Sequence, residues 1–153
     1  MNIIFLDIDG VLNNAEFQYG TLVDLHVRGN IFYVLDPICV RNLNKLTSSI
    51  DVKIVISSSW RILTPYGKIA EIFERQGVLN AKELIIDQTP RTKNGIRGED
   101  IQKWLDKNET DAKIVIIDDE SDMVHLKDRL VQTTWEKGFQ EKHIAQVLEK
   151  FND

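Results

Sequence analysis

Residues 3–13 read IIFLDIDGVLN, an apolar run that ends in two aspartates and a glycine. A short apolar run bounded by a turn signal predicts a strand buried on both faces, and ligands in open α/β sheets bind beyond the carboxyl ends of such strands. Asp7 and Asp9 are two residues apart, so an extended chain carries both on one side. Two carboxylates that close need a cation or a proton between them. The stretch therefore predicts a divalent metal site or an acid/base pair.

The sequence Asp-x-Asp-Gly also occurs in calcium-binding loops and in ordinary turns. EF-hand calcium loops open in the same way, but they need glycine at the sixth position and an acid at the twelfth. Counted from Asp7, those positions hold Leu12 and Gln18, which excludes an EF-hand. The aspartates could also simply cap a turn, and for this motif alone a turn is as good an interpretation. The residues at the ends of the other predicted strands must distinguish a functional site from a turn.

Length and composition limit the number of domains and the classes of function that the chain can have. A chain of 153 residues that is 42% hydrophobic predicts one domain, residues 1–153, with a real core. The net charge of −5 and the lack of a basic run exclude bulk electrostatic binding of nucleic acid, although a local basic groove stays open. Cys39 is the only cysteine, which fits a reducing compartment. Asp7 interrupts the N-terminal apolar stretch, so we expect no signal peptide or membrane span and a cytoplasmic location.

Strand-like runs alternate with helical patterns along the chain, which predicts an α/β fold with a doubly wound, mostly parallel, five-stranded Rossmann-like sheet. The predicted strands are 3–6, 52–56, 84–86, 114–117 and 130–133. The predicted helices are one begun by Asp36-Pro37, with Ile38, Leu43 and Leu46 on its apolar face, and those over 68–76, 99–106 and 140–151. Residues 14–35 fit neither pattern, and their position directly after the candidate site indicates a flap.

Two further strand ends carry polar groups. The run 53–56 continues into Ser57, Ser58 and Ser59, whose hydroxyls and amides could hold the oxygens of an anion. A serine cluster after a strand is more often a turn or a cap. The run 113–117 continues into the acidic stretch 118–122, which would usually be a solvated loop. Three strand ends that carry acids and hydroxyls to one edge of the sheet favour a functional site instead.

With these motifs in this order, the chain resembles the haloacid dehalogenase (HAD) superfamily of phosphohydrolases. The first motif of that family, Asp-x-Asp-Gly, matches residues 7–10, and its second, a serine or threonine at the end of the next strand, matches Ser57. Its acidic fourth motif matches Asp118 and Asp119, with Asp122 as a supporting acid. The basic third motif fits Arg97 better than Lys93. The stretches SSSWR and RGEDI further resemble the phosphatase domains associated with RNA-repair proteins.

The resemblance implies a Mg²⁺-dependent phosphomonoesterase that works through an aspartyl phosphate. Asp7 would be the nucleophile and Asp9 the general acid and base. Mg²⁺ would be bound by the Asp7 carboxylate, the Asp9 backbone carbonyl and the fourth-motif acids, with Asp119 favoured over Asp118 as the direct ligand. The groups predicted to bind phosphate are Ser57, Ser58, Gly10, Arg61 and either Arg97 or Lys93. Arg61 could equally pair with a nearby acid.

The substrate and the class of function have alternatives. The short insertion at 14–35 predicts a largely open site, which admits nucleic-acid ends or nucleotides, although a small-metabolite phosphatase is also compatible. A receiver-like module that keeps a phosphoryl group is a third possibility, but such modules place the phosphoacceptor after the third strand, where this chain offers only Asp87. Trp60 and Trp104 are expected to be core aromatic residues.

Overall fold

The computed structural model describes residues 1–18 and 34–153, and its centre is a five-stranded sheet. The spatial order is β3-β2-β1-β4-β5, and every neighbouring pair is parallel, which confirms the predicted α/β architecture. The strands are β1 Asn2–Leu6, β2 Lys53–Ile56, β3 Ile85–Gln88, β4 Lys113–Asp118 and β5 Leu130–Gln132.

Helices cover both faces of this sheet. They are α1 Pro37–Ser49, α2 Tyr66–Arg75, α3 Ala81–Leu84, α4 Arg97–Asn108 and α5 Glu141–Asn152, with 3₁₀ turns at Ser59–Ile62 and Val124–Arg129. Alternate residues of β1 enter two separate cores: Ile4 and Leu6 pack with α1, α2 and α5, whereas Ile3 and Phe5 pack with α4. The continuous apolar sequence of β1 is therefore explained by burial on both faces.

Several sequence predictions need adjustment. Asp36 does cap α1, since its Oδ1 accepts from the amide of Ile38 at 2.9 Å. The Ile38 side chain is 57% exposed, however, because Cys39, four residues before Leu43, takes the inward position on the first turn. The third strand begins one residue later than predicted, because Leu84 closes the short helix α3.

The predicted flap at 14–35 lies mostly outside the described residues. Its first part, 15–18, is helical, and Asn14 at its start donates from Nδ2 to Asp36 Oδ2 at 2.7 Å. Asn14 thus joins the start of the segment to the residue that caps α1. Within residues 1–18 and 34–153 we find no helix with the length and apolarity that a bilayer crossing requires.

Candidate active site

The carboxyl ends of the three central strands deliver Asp7, Ser57 and Asp118 to one place. The sheet register aligns Leu6 with Ile56 on one side and with Ile117 on the other, so the residues that follow emerge together. The ladder continues one step further: the amide of Asp7 donates to Ile117 O at 3.0 Å, and the amide of Ser57 donates to Leu6 O at 2.8 Å. Strand order reverses between β1 and β4, which is where ligands bind in open α/β sheets.

Three carboxylates form a cluster at this point. Asp7, Asp118 and Asp119 each offer an oxygen, and these oxygens all lie within 4.8 Å of one another. Asp7 and Asp118 are buried and Asp119 is partly buried, so the start of this acidic stretch differs from the solvated loop that such a charge run usually forms. An all-oxygen set of this kind fits a hard divalent cation such as Mg²⁺ or Ca²⁺.

Gly10 makes room for Asp119. Its φ of +82° is a conformation that L side chains rarely adopt, and a Cβ there would lie 2.3 Å from Asp119 Oδ2. The amide of Gly10 donates to Asn13 O at 2.8 Å and is therefore already engaged, so the role that the structure gives Gly10 is to allow the close approach of Asp119. The carbonyl of Gly10 accepts from the hydroxyl of Thr133, a contact that sequence reasoning missed.

Arg97 is the cation beside the cluster. As the first residue of α4, it holds Nη1 3.1 Å from Asp7 Oδ1 and 3.3 Å from Asp118 Oδ2, and Nη1 also donates to the carbonyl of Ser57. Lys93, the alternative for this role, lies exposed in the loop before α4. The geometry thus brings Arg97 and not Lys93 to the acids.

Burial raises the pKa of both Asp7 and Asp118 above the ordinary range of a carboxyl group. The charge of Asp7 raises the pKa of Asp118 further, whereas the positive charge of Arg97 lowers the pKa of both groups. Burial also opposes the charge on Arg97, but Asp7 and Asp118 together outweigh it and raise the pKa of the guanidinium. Within the described ranges, three carboxyl groups face one arginine, so full ionisation of the cluster leaves an excess of negative charge that a bound cation would offset.

Asp9 lies beside the cluster and has a partner of its own. Both of its carboxylate oxygens accept from the indole Nε1 of Trp60, at 3.1 and 3.2 Å. Burial raises the pKa of Asp9, and the hydrogen bond from Trp60 partly offsets this effect. The expectation that Trp60 is only a core residue is therefore incomplete, whereas Trp104 is buried against Phe5 as expected.

The turn after β2 divides the predicted phosphate-binding residues into two groups. The Oγ of Ser57 is buried with no hydrogen-bond partner among the described residues, so it remains available to a ligand. The Oγ of Ser58 instead accepts from the amide of Trp60 at 3.2 Å and caps the 3₁₀ turn. The structure thus gives the Ser58 hydroxyl oxygen the role of a cap, which is the commoner function of such a serine.

Arg61 lies in the same turn and is fully engaged within the protein. Its guanidinium donates to Thr89 O at 2.9 Å, Ser58 O at 2.6 Å and Asp100 Oδ2 at 2.7 Å, and the side chain is only 6% exposed. Of the two roles left open for Arg61, the structure gives pairing with an acid. Its partner, Asp100, was not identified from the sequence.

Asp122 lies outside the acidic cluster. Its Oδ2 accepts from the amide of Arg97 at 3.2 Å, and its carbonyl accepts from the amide of Gly98 at 3.0 Å. The structure therefore places Asp122 at the start of α4, where it holds the backbone of Arg97, and not among the three acids of the cluster. Gly98 permits this contact, because a Cβ there would lie 2.3 Å from Met123 O.

Comparison with known proteins identifies a family whose model matches this chain. A family model described as the HAD domain in Swiss Army Knife RNA repair proteins matches residues 3–144. No curated protein and no solved structure gives a match. The family match includes the three acids of the cluster and Arg97.

Proposed function

This chain belongs to the family of HAD domains found in Swiss Army Knife RNA repair proteins, and from that premise we propose that it is a Mg²⁺-dependent phosphomonoester hydrolase. The observation that carries the proposal is the cluster of Asp7, Asp118 and Asp119 beside Arg97 at the switch point of the sheet. Its excess negative charge has no use in a purely structural core, because burying unpaired charge costs stability.

The donor set suits Mg²⁺, which prefers oxygen ligands. Asp7, Asp119 and the backbone carbonyl of Asp9 would hold the ion, while Asp118, fully buried and paired with Arg97, would orient the arginine. When bound, the ion supplies positive charge that neutralises the acids and the phosphate oxygens. The partial exposure of Asp119 supports its choice as the direct ligand, because an incoming ion can reach it.

The residues of the chain then divide the reaction into two steps. An oxygen of Asp7 attacks phosphorus, and the bond from phosphorus to the leaving oxygen breaks while Asp9 gives that oxygen a proton. In the second step Asp9 takes a proton from water, whose oxygen attacks the aspartyl phosphate and releases inorganic phosphate with Asp7 restored. The hydroxyl of Ser57 and the guanidinium of Arg97 would stabilise the non-bridging oxygens throughout.

For the substrate we favour a phosphorylated nucleic-acid end, because the matching family is described by its occurrence in RNA repair proteins. The net charge of −5 suggests that contacts with the strand are few and local. The alternative of a receiver-like module has less support, since Asp87 accepts from Trp104 Nε1 at 2.8 Å and from the amide of Gln88 at 2.9 Å and is therefore already engaged.

The test is phosphate release from 3′- and 5′-phosphorylated oligonucleotides and from the matching mononucleotides, with Mg²⁺ and with a chelator. We expect Mg²⁺-dependent turnover, with kcat/KM for an oligonucleotide end at least equal to that for the mononucleotide and only weakly dependent on salt. A strong preference for the mononucleotide or for a sugar phosphate would leave a small-metabolite phosphatase. Stoichiometric retention of a phosphoryl group from acetyl phosphate, without turnover, would overturn the hydrolase proposal.

A further inference from the structure

The contact between Trp60 and Asp9 joins two motifs that are 51 residues apart in sequence. One indole N–H faces both oxygens of a single carboxylate, at nearly equal distances of 3.1 and 3.2 Å. An indole can donate a hydrogen bond but cannot accept one. The side of the Asp9 carboxyl group that faces Trp60 must therefore accept a hydrogen bond. When Asp9 carries a proton, its O–H has to point away from Trp60.

The turn that carries Trp60 is fixed at both ends. Ser58 caps it through the amide of Trp60, and Arg61 anchors it through the carbonyls of Ser58 and Thr89 and the carboxylate of Asp100. The Arg61 and Asp100 side chains are 6% and 4% exposed, so this ion pair is buried and resists displacement. Trp60 itself packs against the larger hydrophobic core. The indole is thus a rigid donor, which is what the precise orientation of a neighbouring group requires.

From this geometry we infer that Trp60 is a positioning residue for Asp9, directing its proton toward the leaving oxygen of the substrate. The inference rests on the proposed function, because it assigns Trp60 a part in the proton transfer of that reaction. The proton moves from the Asp9 carboxyl to the leaving oxygen as the bond from phosphorus breaks, and Trp60 neither gains nor loses a proton. The same role explains why the turn around Trp60 is held so firmly.

The test compares two leaving groups in one protein. A nitrophenolate departs readily without a proton, whereas the alkoxide of a nucleoside hydroxyl needs one. Asp9 also acts in the later hydrolysis of the aspartyl phosphate, which is common to both substrates, so the quantity to compare is kcat/KM, which covers only the steps up to departure of the leaving group. In Trp60→Phe we expect kcat/KM for a 3′-mononucleotide to fall by about 10- to 100-fold, and kcat/KM for p-nitrophenyl phosphate to fall by less than about 3-fold. The ratio of the two kcat/KM values is the readout, because partial loss of folded protein lowers both equally and leaves the ratio unchanged.

Trp104→Phe is the matched control. It removes the same indole N–H, which donates to Asp87 Oδ2 at 2.8 Å, from a buried position in the other hydrophobic core. We expect this variant to keep the wild-type ratio. If the wild-type protein is active and Trp60→Phe loses activity equally on both substrates, this inference is overturned while the proposed function stands. A wild-type protein that released no phosphate from either ester would overturn the proposed function and the inference with it.

A second measurement tests the hydrogen bond between Trp60 and Asp9 directly and does not depend on enzyme activity. The sequence has three tryptophans, so the wild-type protein gives three indole N–H resonances in a ¹H–¹⁵N spectrum. Asp9→Ala removes the acceptor, so one of these resonances should move upfield and exchange faster with water, and the same resonance should vanish in Trp60→Phe. All three resonances unmoved by Asp9→Ala would overturn the inference.

Discussion

The ends of β1 and β4 and the turn after β2 are both rich in buried polar side chains, but they differ in how those groups are satisfied. In the turn, the cation of Arg61 is matched by Asp100 and by two carbonyls. At the strand ends, Asp7, Asp118 and Asp119 face one cation, Arg97, among the residues that the structure describes. A buried charge with partners inside the chain serves the structure, whereas a buried excess of one sign indicates a ligand of the opposite sign.

The largest expected effect is on activity at the acidic cluster. Asp7→Asn removes the nucleophile and a metal ligand while it keeps the shape of the side chain, so hydrolysis should fall by about 10³-fold or more. The protein should remain folded, because the change removes a buried negative charge. Rates of phosphate release and the circular dichroism spectrum check the two halves of this prediction. Residual activity clearly above a thousandth of the wild-type rate would mean that Asp7 is not the nucleophile.

In the turn after β2, by contrast, a substitution should lower the stability of the protein. Asp100→Ala leaves Arg61 buried without its carboxylate, and breaking a buried pair in this way typically costs about 3–5 kcal/mol of unfolding free energy. Chemical denaturation of the metal-free protein measures this loss. Arg97→Met is the matched comparison: it should cost much less stability, because part of the loss is recovered by protonation of Asp7 or Asp118. Equal losses of stability in the two variants would remove the distinction between the two regions.

Much of this comparison could be predicted from the sequence. The apolar run of β1 and the positions of Asp7, Ser57 and Asp118 at the ends of the first, second and fourth strands are enough to predict the sheet and the three residues that meet at its edge. The functions of Ser58, Arg61 and Asp122 could not be separated from those of their neighbours, because the difference depends on which partner lies within about 3 Å. Asp100 and Thr89, the partners of Arg61, are distant in sequence and carry no motif. The sequence predicts Trp60 to be a core residue because buried aromatic side chains are the commoner case, and nothing in its neighbourhood along the chain indicates a contact with Asp9.

Within the cluster, Asp9 and Asp119 should separate catalysis from metal binding. Asp9→Asn keeps the backbone carbonyl, so Mg²⁺ affinity should survive while the rate falls by about 10²-fold. Asp119→Ala should weaken Mg²⁺ binding first, with the rate partly restored at high Mg²⁺. Calorimetric titration and rate measurements over a range of Mg²⁺ concentrations distinguish the two variants. Loss of Mg²⁺ binding in Asp9→Asn would show that the carboxylate of Asp9, rather than its carbonyl, binds the ion.

The smallest effect is on the pH dependence of stability. Because the pKa values of Asp7 and Asp118 are raised in the folded state, the folded protein binds more protons than the unfolded chain between about pH 4 and those raised values. These groups therefore favour folding at low pH, and their contribution is lost as the pH rises through the raised pKa values. Metal-free Asp118→Asn should be more stable than the wild type at about pH 8 and equally stable near pH 4. A stability difference that is the same at both pH values would contradict this account.

The most direct test of the central claim, that Asp7 carries the phosphoryl group during hydrolysis, is to trap the intermediate. The protein is mixed with substrate and Mg²⁺, quenched in acid within milliseconds and treated with borohydride, which reduces an acyl phosphate to an alcohol. The account predicts that peptide mass spectrometry finds the reduced side chain at position 7, that it forms no more slowly than phosphate is released, and that it is absent in Asp7→Asn. Turnover with no reduced residue, or with the reduced residue at Asp87 or Asp119, would contradict the account.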